Sequence, residues 1–313
     1  MMHLRRKIFL KAVFSLTFLV YLLASVELPD LVALVRQGKI GFFVATLATG
    51  VAAVALSAYK WKVLLAYEGL SCPWGELFRL YLIGIYFNNF LPTSIGGDAA
   101  RIYLLSRKHG QPKQVIISVF TERVTGLIAL VSFLILGLVV EGEILDAPTK
   151  LWLWGGSLFF LLCLFGLFVG KNKLPLQKCL PKNWRDWLVG MANDGRRWGG
   201  ITDRSVAGMS LLFQFLSIFI YFLLSCSLSL SIPFSALILI VPLVALVTLL
   251  PISLNGLGLR EGSWVFFLSL FHVSGSEALA LSLLYFIVIL LLSLCGGLLY
   301  FFLGSGLADC QPN

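Results

Sequence analysis

Six ionisable residues sit in or beside apolar stretches where charge is out of place: Asp98, Arg101, Glu122, Arg123, Arg260 and Glu261. On insertion scales a charge at the centre of a bilayer costs about 2.5–3.5 kcal/mol. Six unpaired would overwhelm the stability margin of a domain, so they have to be paired, hydrated or close to an interface. Asp98 and Arg101 are spaced i, i+3 and can pair on one helix. Glu122 with Arg123 and Arg260 with Glu261 are adjacent, so their side chains diverge and should find partners elsewhere. The lowest-cost arrangement gathers all six around one polar cavity. An alternative for Arg101 and Arg123 is snorkelling to headgroups. Arg260 resists it, because no other Lys or Arg occurs from Ser205 to the carboxyl terminus. Its guanidinium offers the bidentate fork that suits a phosphate.

The elements that must position these residues are membrane spans. Of 313 residues, 59% are hydrophobic and 12% charged, well above the apolar content of soluble domains. Apolar runs long enough to cross a hydrocarbon core occur at 8–26, 40–66, 114–140, 151–170, 205–226 and 277–303. They cover the whole length, so residues 1–313 read as a single polytopic membrane domain. The first run lacks a small-x-small cleavage site and reads as a retained anchor rather than a signal peptide. Two further runs, 77–91 and 236–250, end at Leu91-Pro92 and Leu250-Pro251 and look like broken or re-entrant helices.

Orientation follows from Lys and Arg in the connections. Arg5, Arg6 and Lys7, then Lys60, Lys62 and Arg79, then Arg101, Arg107, Lys108 and Lys113 all assign their segments to the cytoplasmic side. So do the eight basic residues of the 171–204 connection, whereas 141–150, with Glu141, Glu143 and Asp146, faces outside. These assignments agree if the first broken segment enters from the cytoplasm and returns to it.

The two breaks repeat one another. "LPTSIGGDAAR" (91–101) and "LPISLNGLGLR" (250–260) share Leu, Pro, Ser, Gly and Arg in register, which pairs Ser94 with Ser253 and Gly97 with Gly256. Three full spans separate the copies, and an odd number inserts the second upside down. Inverted repeats of this kind, with halves at about 40–140 and 205–303, bring broken helices together at a substrate site. In each copy proline ends one helix, glycine permits a turn, and a new helix begins inside the membrane, where its N–H groups favour an anion. A lipid phosphate is the natural anion there. Asn88, Asn89 and Asn255 can bond its headgroup or cap the broken ends.

Other chemistries find no support. Cys72, Cys163, Cys179, Cys226, Cys295 and Cys310 form no CxxC pair, and His3, His109 and His272 have no metal-ligand spacing, so neither metal nor other cofactor is expected. The net charge of +9 lies in short connections, where topology explains it, and no nucleic-acid partner is expected. There is no GxxxxGK[ST], hence no built-in ATP hydrolysis. Trp152, Trp154, Trp184, Trp187 and Trp198 fit an interfacial belt, and 180–200 an amphipathic piece lying on anionic lipid.

"NNFLPTSIGGDAARIYLL", "TERVTGLIAL" and "LPISLNGLGLREG" together resemble the membrane region of the lysylphosphatidylglycerol synthases, the multiple peptide resistance factors, and their stand-alone flippase-like relatives. The resemblance covers nearly the whole chain. It implies a lipid flippase that moves an anionic or aminoacylated phospholipid, or a related polyprenyl-phosphate lipid, between leaflets. It also implies that Asp98, Arg101, Glu122, Arg123, Arg260 and Glu261 occupy the matching site positions. The chain ends ten residues after its last apolar run, so the cytosolic transferase domain of the bifunctional members is not expected. An intramembrane transferase using Asp98 or Glu122 as base is a different reading, and a lipid-presenting subunit for a separate lipid-modifying enzyme is a third. Self-association into a homo-oligomer is compatible with all of them. The expectation is thus an all-α integral membrane protein of the cell membrane, with about six full spans, two re-entrant helix pairs and a cytoplasmic amino terminus.

Overall fold

Hydrophobic runs without strand-like alternation build helices here, and helices are the only regular structure among the described residues. The computed structural model describes residues 38–90, 96–169, 203–250, 253 and 256–307. The expected first span at 8–26, most of the basic connection and the amphipathic stretch at 180–200 lie outside them.

Nine α-helices follow in order among the described residues: α1 (Ile40–Tyr67), α2 (Trp74–Phe90), α3 (Gly96–His109), α4 (Pro112–Glu141), α5 (Ala147–Val169), α6 (Arg204–Ser227), α7 (Phe234–Leu249), α8 (Leu259–Ser269) and α9 (Gly275–Leu307). Four stretches are long and apolar enough to cross a membrane: Ile40–Tyr67, Pro112–Ile144, Arg204–Ser227 and Gly275–Phe302. At 1.5 Å per residue, α2, α3, α7 and α8 reach only about 16–26 Å, short of the roughly 30 Å hydrocarbon core.

Long helix α1 runs antiparallel to α6 with both ends tied. At one end the Lys39 N–H donates to the Ser227 carbonyl at 2.9 Å. At the other the Tyr67 hydroxyl donates to the Asp203 carboxylate at 2.5 Å. Asp203 also caps α6 by accepting from the Ser205 N–H at 2.6 Å.

Each of these helices then leads through the same turn into a short helix. The Leu70 N–H bonds back to Leu65 O, and the Leu230 N–H to Ser225 O, both at 2.9 Å. Gly69 and Ser229 carry the positive φ that such a helix end requires. Pro73 and Pro233 follow, their carbonyls accepting from Glu76 and Ala236 at 3.1 Å.

The first short pair, α2 and α3, returns to the end where it began. Glu76 in the first turn of α2 pairs with Lys108 in the last turn of α3 at 2.9 Å, and Cys72 Sγ lies 3.6 Å from His109 Nε2. Helix α2 packs along α9, and α7 along α4. The second contact is close because Gly137 leaves space: a Cβ there would strike the Leu239 backbone and the Ile238 carbonyl. Pro242 removes the donor that would otherwise bond that carbonyl within α7.

Hydrogen bonds from Tyr67 and from Ser205 hold the Asp203 carboxyl below its ordinary range. A depressed folded-state value stabilises the fold at neutral pH, and that contribution is lost as pH falls through it. Acid titration of helicity from about pH 5 to about pH 2 should therefore be steeper for the parent than for Asp203→Asn. Superimposable acid limbs would remove this role for Asp203.

Candidate functional site

Arg101 organises the buried charge. It sits five residues into α3 and is 3% exposed. Its Nη2 donates to Asp98 Oδ1 at 2.5 Å, the i, i+3 pair expected from sequence, and its Nη1 donates to Glu122 Oε2 at 3.3 Å. The guanidinium lies 4.1 Å from the ring centre of Tyr81 and 4.9 Å from that of Trp61, an aromatic seat for a cation. The Tyr81 hydroxyl donates to Glu122 Oε1. The second Asp98 oxygen accepts from Arg123, at 2.8 Å from Nε and 2.6 Å from Nη2. Glu122 and Arg123 thus point apart and find different partners, as adjacent helical residues must.

Local chain geometry delivers Arg101 to this place. Asn88 Oδ1 on α2 accepts the Gly97 N–H at 2.7 Å, so Asn88 caps the start of α3. A side chain at Gly97 would collide with the Gly84 carbonyl and Asn88, and one at Gly84 would press on the Arg101 methylenes. Trp61 is fixed by its Nε1, which donates to Ser118 Oγ at 2.9 Å.

Beside this network lies a cavity of about 420 Å³. Its polar lining comes from Ser57, Lys60, Asn88, Asp98, Arg101, Glu122, Arg123, Gln214 and Ser217. Its apolar lining includes Val54, Leu127, Leu130, Val288, Ile289 and Leu292. Arg123, with 57% of its side chain exposed, stands at the mouth.

Arg260 and Glu261 are not among the residues that line this cavity, which corrects the expectation of six charges around one space. They also bond to each other, although their adjacency suggested otherwise: Glu261 Oε1 accepts from Arg260 Nη2 at 2.7 Å and Nε at 3.1 Å. The reason is a cap. Glu261 Oε2 reaches back to the Gly258 N–H at 2.7 Å, which draws the carboxylate to the helix start, where Arg260 can fold onto it. This second node is closed over by aromatic rings. Tyr221 lies 4.4 Å from Trp264 and 4.6 Å from Tyr285 between ring centres. Arg260 is 5.6 Å from the centre of Tyr285, which itself lines the cavity.

Of the other expected site residues, Asn89 is half-buried on α2, and Ser253 is buried at 8% exposure. Ser94 and Asn255 lie outside the described residues. Sequence reasoning missed Tyr81, Trp61, Tyr285 and above all Lys60, which it counted as a charge of the connection. Lys60 is instead 4% exposed inside α1. Its signal was available: Trp61, Val63, Leu64 and Leu65 follow it, so the apolar run continues beyond it. Among the described residues, no three His, Cys, Asp or Glu side chains gather as metal ligands.

The family model described as "Lysylphosphatidylglycerol synthase TM region" matches residues 8–297. Two UPF0104 membrane proteins of Methanocaldococcus jannaschii are similar to the chain. One is 25% identical over 302 residues, covering 87% of each chain. The other is 25% identical over 222 residues, covering 64% of this chain and 86% of the relative. No solved structure matches the chain.

Proposed function

The chain belongs to the family of the lysylphosphatidylglycerol synthase transmembrane region, and from that premise we propose that it is a lipid flippase. It moves an anionic or aminoacylated phospholipid, or a related lipid phosphate, between leaflets of the cell membrane. The observation that carries this reading is a cavity whose lining combines a buried ion network with apolar side chains. A headgroup fits the charged groups while its acyl chains stay against the apolar side chains or in surrounding lipid, the chemistry any path across a bilayer has to supply.

The architecture behind this reading is an inverted repeat. Antiparallel α1 and α6, their matching turns, and the reciprocal packing of α2 on α9 and α7 on α4 support it. In it, α2–α3 is a re-entrant pair inserted from the cytoplasm and α7–α8 one inserted from outside, with the amino terminus cytoplasmic. Arg101 and Arg260 then occupy equivalent positions in the two halves. The headgroup meets Arg101 and Arg123 from one side of the membrane, and displacement of the Tyr285 ring opens the way to Arg260 and Glu261. Asn88, Asn89, Gly97 and Ser253 lie beside the two breaks that flank this path, and Ser94 and Asn255 belong to the same break motifs in the sequence.

The test is lipid scrambling by the purified protein in vesicles that contain a fluorescent phospholipid. The parent should accelerate exchange above empty vesicles, and Arg123→Gln, at the cavity mouth, should lose about tenfold, equivalent to ~1.4 kcal/mol. Exchange at the empty-vesicle rate with anionic, aminoacylated and polyprenyl-phosphate lipids alike would rule out the flippase reading.

A further inference from the structure

We infer that Lys60 is the phosphate ligand of the cavity, and that the lipid the cavity takes carries one net negative charge on its headgroup. The inference rests on the reading that this space receives a lipid headgroup, and it narrows that lipid's chemistry.

Lys60 is 4% exposed and lines the cavity. Its Nζ has two hydrogen-bond partners, the Glu122 backbone carbonyl at 3.4 Å and Ser210 Oγ at 3.3 Å. Both are neutral and both contacts are long for an ammonium. Among the described residues no carboxylate oxygen lies within salt-bridge distance of Nζ. The nearby acids are already engaged: Asp98 holds Arg101 with one oxygen and Arg123 with the other. Glu122 holds Arg101 with one oxygen and accepts the Tyr81 hydroxyl with the other. Arg101 and Arg123 thus have carboxylate partners, whereas the Lys60 ammonium has donors left over and no counter-charge.

The charge count points the same way. Counted by formal charge, Lys60, Arg101 and Arg123 stand against Asp98 and Glu122, three cations to two anions, which leaves one positive charge. A buried ion without a partner is costly, and an anion of unit charge arriving in the cavity removes that cost. A phosphodiester or a singly ionised phosphate monoester is such an anion. A lysylated phosphatidylglycerol is not, because its two ammonium groups outweigh its phosphate and add charge of the sign already in excess. The cargo is therefore an unmodified acidic lipid rather than the aminoacylated one that the family resemblance also allows. The same chemistry is offered by a glycerophospholipid and by a polyprenyl phosphate.

The experiment is equilibrium binding to the purified full-length chain in detergent, with four probes: short-chain phosphatidylglycerol, a polyprenyl monophosphate, short-chain phosphatidylcholine and lysyl-phosphatidylglycerol. The parent should bind at least one acidic probe about tenfold or more tightly than phosphatidylcholine or the lysylated lipid. Whether phosphatidylglycerol or the polyprenyl phosphate binds tighter identifies the source. Lys60→Met should abolish that preference, Lys60→Arg should restore it, and without lipid Lys60→Met should melt no lower than the parent, since it deletes an uncompensated charge. A structural lysine would instead lower the melting point without altering the preference. Lys60→Gln gives the same comparison should the methionine variant fail to fold. Acidic-lipid preference unchanged in Lys60→Met, or tightest parent binding to lysyl-phosphatidylglycerol, would overturn the inference. A parent that binds acidic lipid through Lys60 but never scrambles it would leave the ligand standing and remove only the flippase.

Discussion

Arg101→Met is expected to be the most damaging single charge substitution in the chain, lowering stability by roughly 3–5 kcal/mol and abolishing lipid exchange. The guanidinium is 3% exposed, pairs with two carboxylates on different helices and lies over two aromatic rings. Its removal leaves Asp98 with Arg123 alone and Glu122 with only the Tyr81 hydroxyl, each carboxylate buried beside a vacated volume. Arg101→Lys should recover little. An ammonium can neither reach both acids through a planar fork nor stack on Tyr81 and Trp61 in the same way. The double variant Arg101→Met with Glu122→Gln should melt higher than Arg101→Met, because neutralising the stranded acid removes part of the penalty. Thermal unfolding in detergent measures all four proteins, and a melting point for Arg101→Met equal to the parent's would contradict the network.

Gly296→Val should be worse still for assembly, although it touches no charge. On α9, a Cβ at this position would overlap the Leu82 backbone carbonyl on α2, and Gly297 alongside it faces the Tyr86 ring. Backbone cannot rotate aside as a side chain can. The two helices must separate, and the dispersion contacts that hold membrane helices together decay steeply with distance. No monodisperse folded protein should be recovered from Gly296→Val. Gly208→Ala, on α6 with open space around it, should purify like the parent and gain up to about 1 kcal/mol of helix propensity. Size-exclusion profiles of the two variants settle the matter, and a parent-like profile for Gly296→Val would show that α2 and α9 have slack.

Gly137 has the matching duty between α4 and α7. Positions 137 and 296 differ by 159, as do Arg101 and Arg260. That shared offset supports the proposed repeat beyond its break motifs. These glycines carried no visible signal, because a helical glycine reads the same whether it faces lipid or another backbone. Only the partner helix at van der Waals distance distinguishes the two.

What the sequence by itself determined is what local chemistry determines. Apolar runs of more than eighteen residues require helices in lipid, prolines at 92 and 251 stop them, and the shared pattern at 91–101 and 250–260 marks two like elements. The i, i+3 spacing made Asp98 and Arg101 partners before any fold was known, since one helix fixes both. Only the tertiary structure decided that Glu122 turns to Arg101 while Arg123 turns to Asp98, and that Arg260 folds onto its neighbour behind Tyr285 instead of joining the others. It also decided that Lys60 belongs to the cavity. A lysine seven residues from the end of a spanning helix can snorkel out or turn inward, and the choice depends on what α4 and α6 place beside it. Charge pairing acts over a few ångströms between segments far apart in the chain, so sequence says how much charge is buried but not which charge is left without a partner.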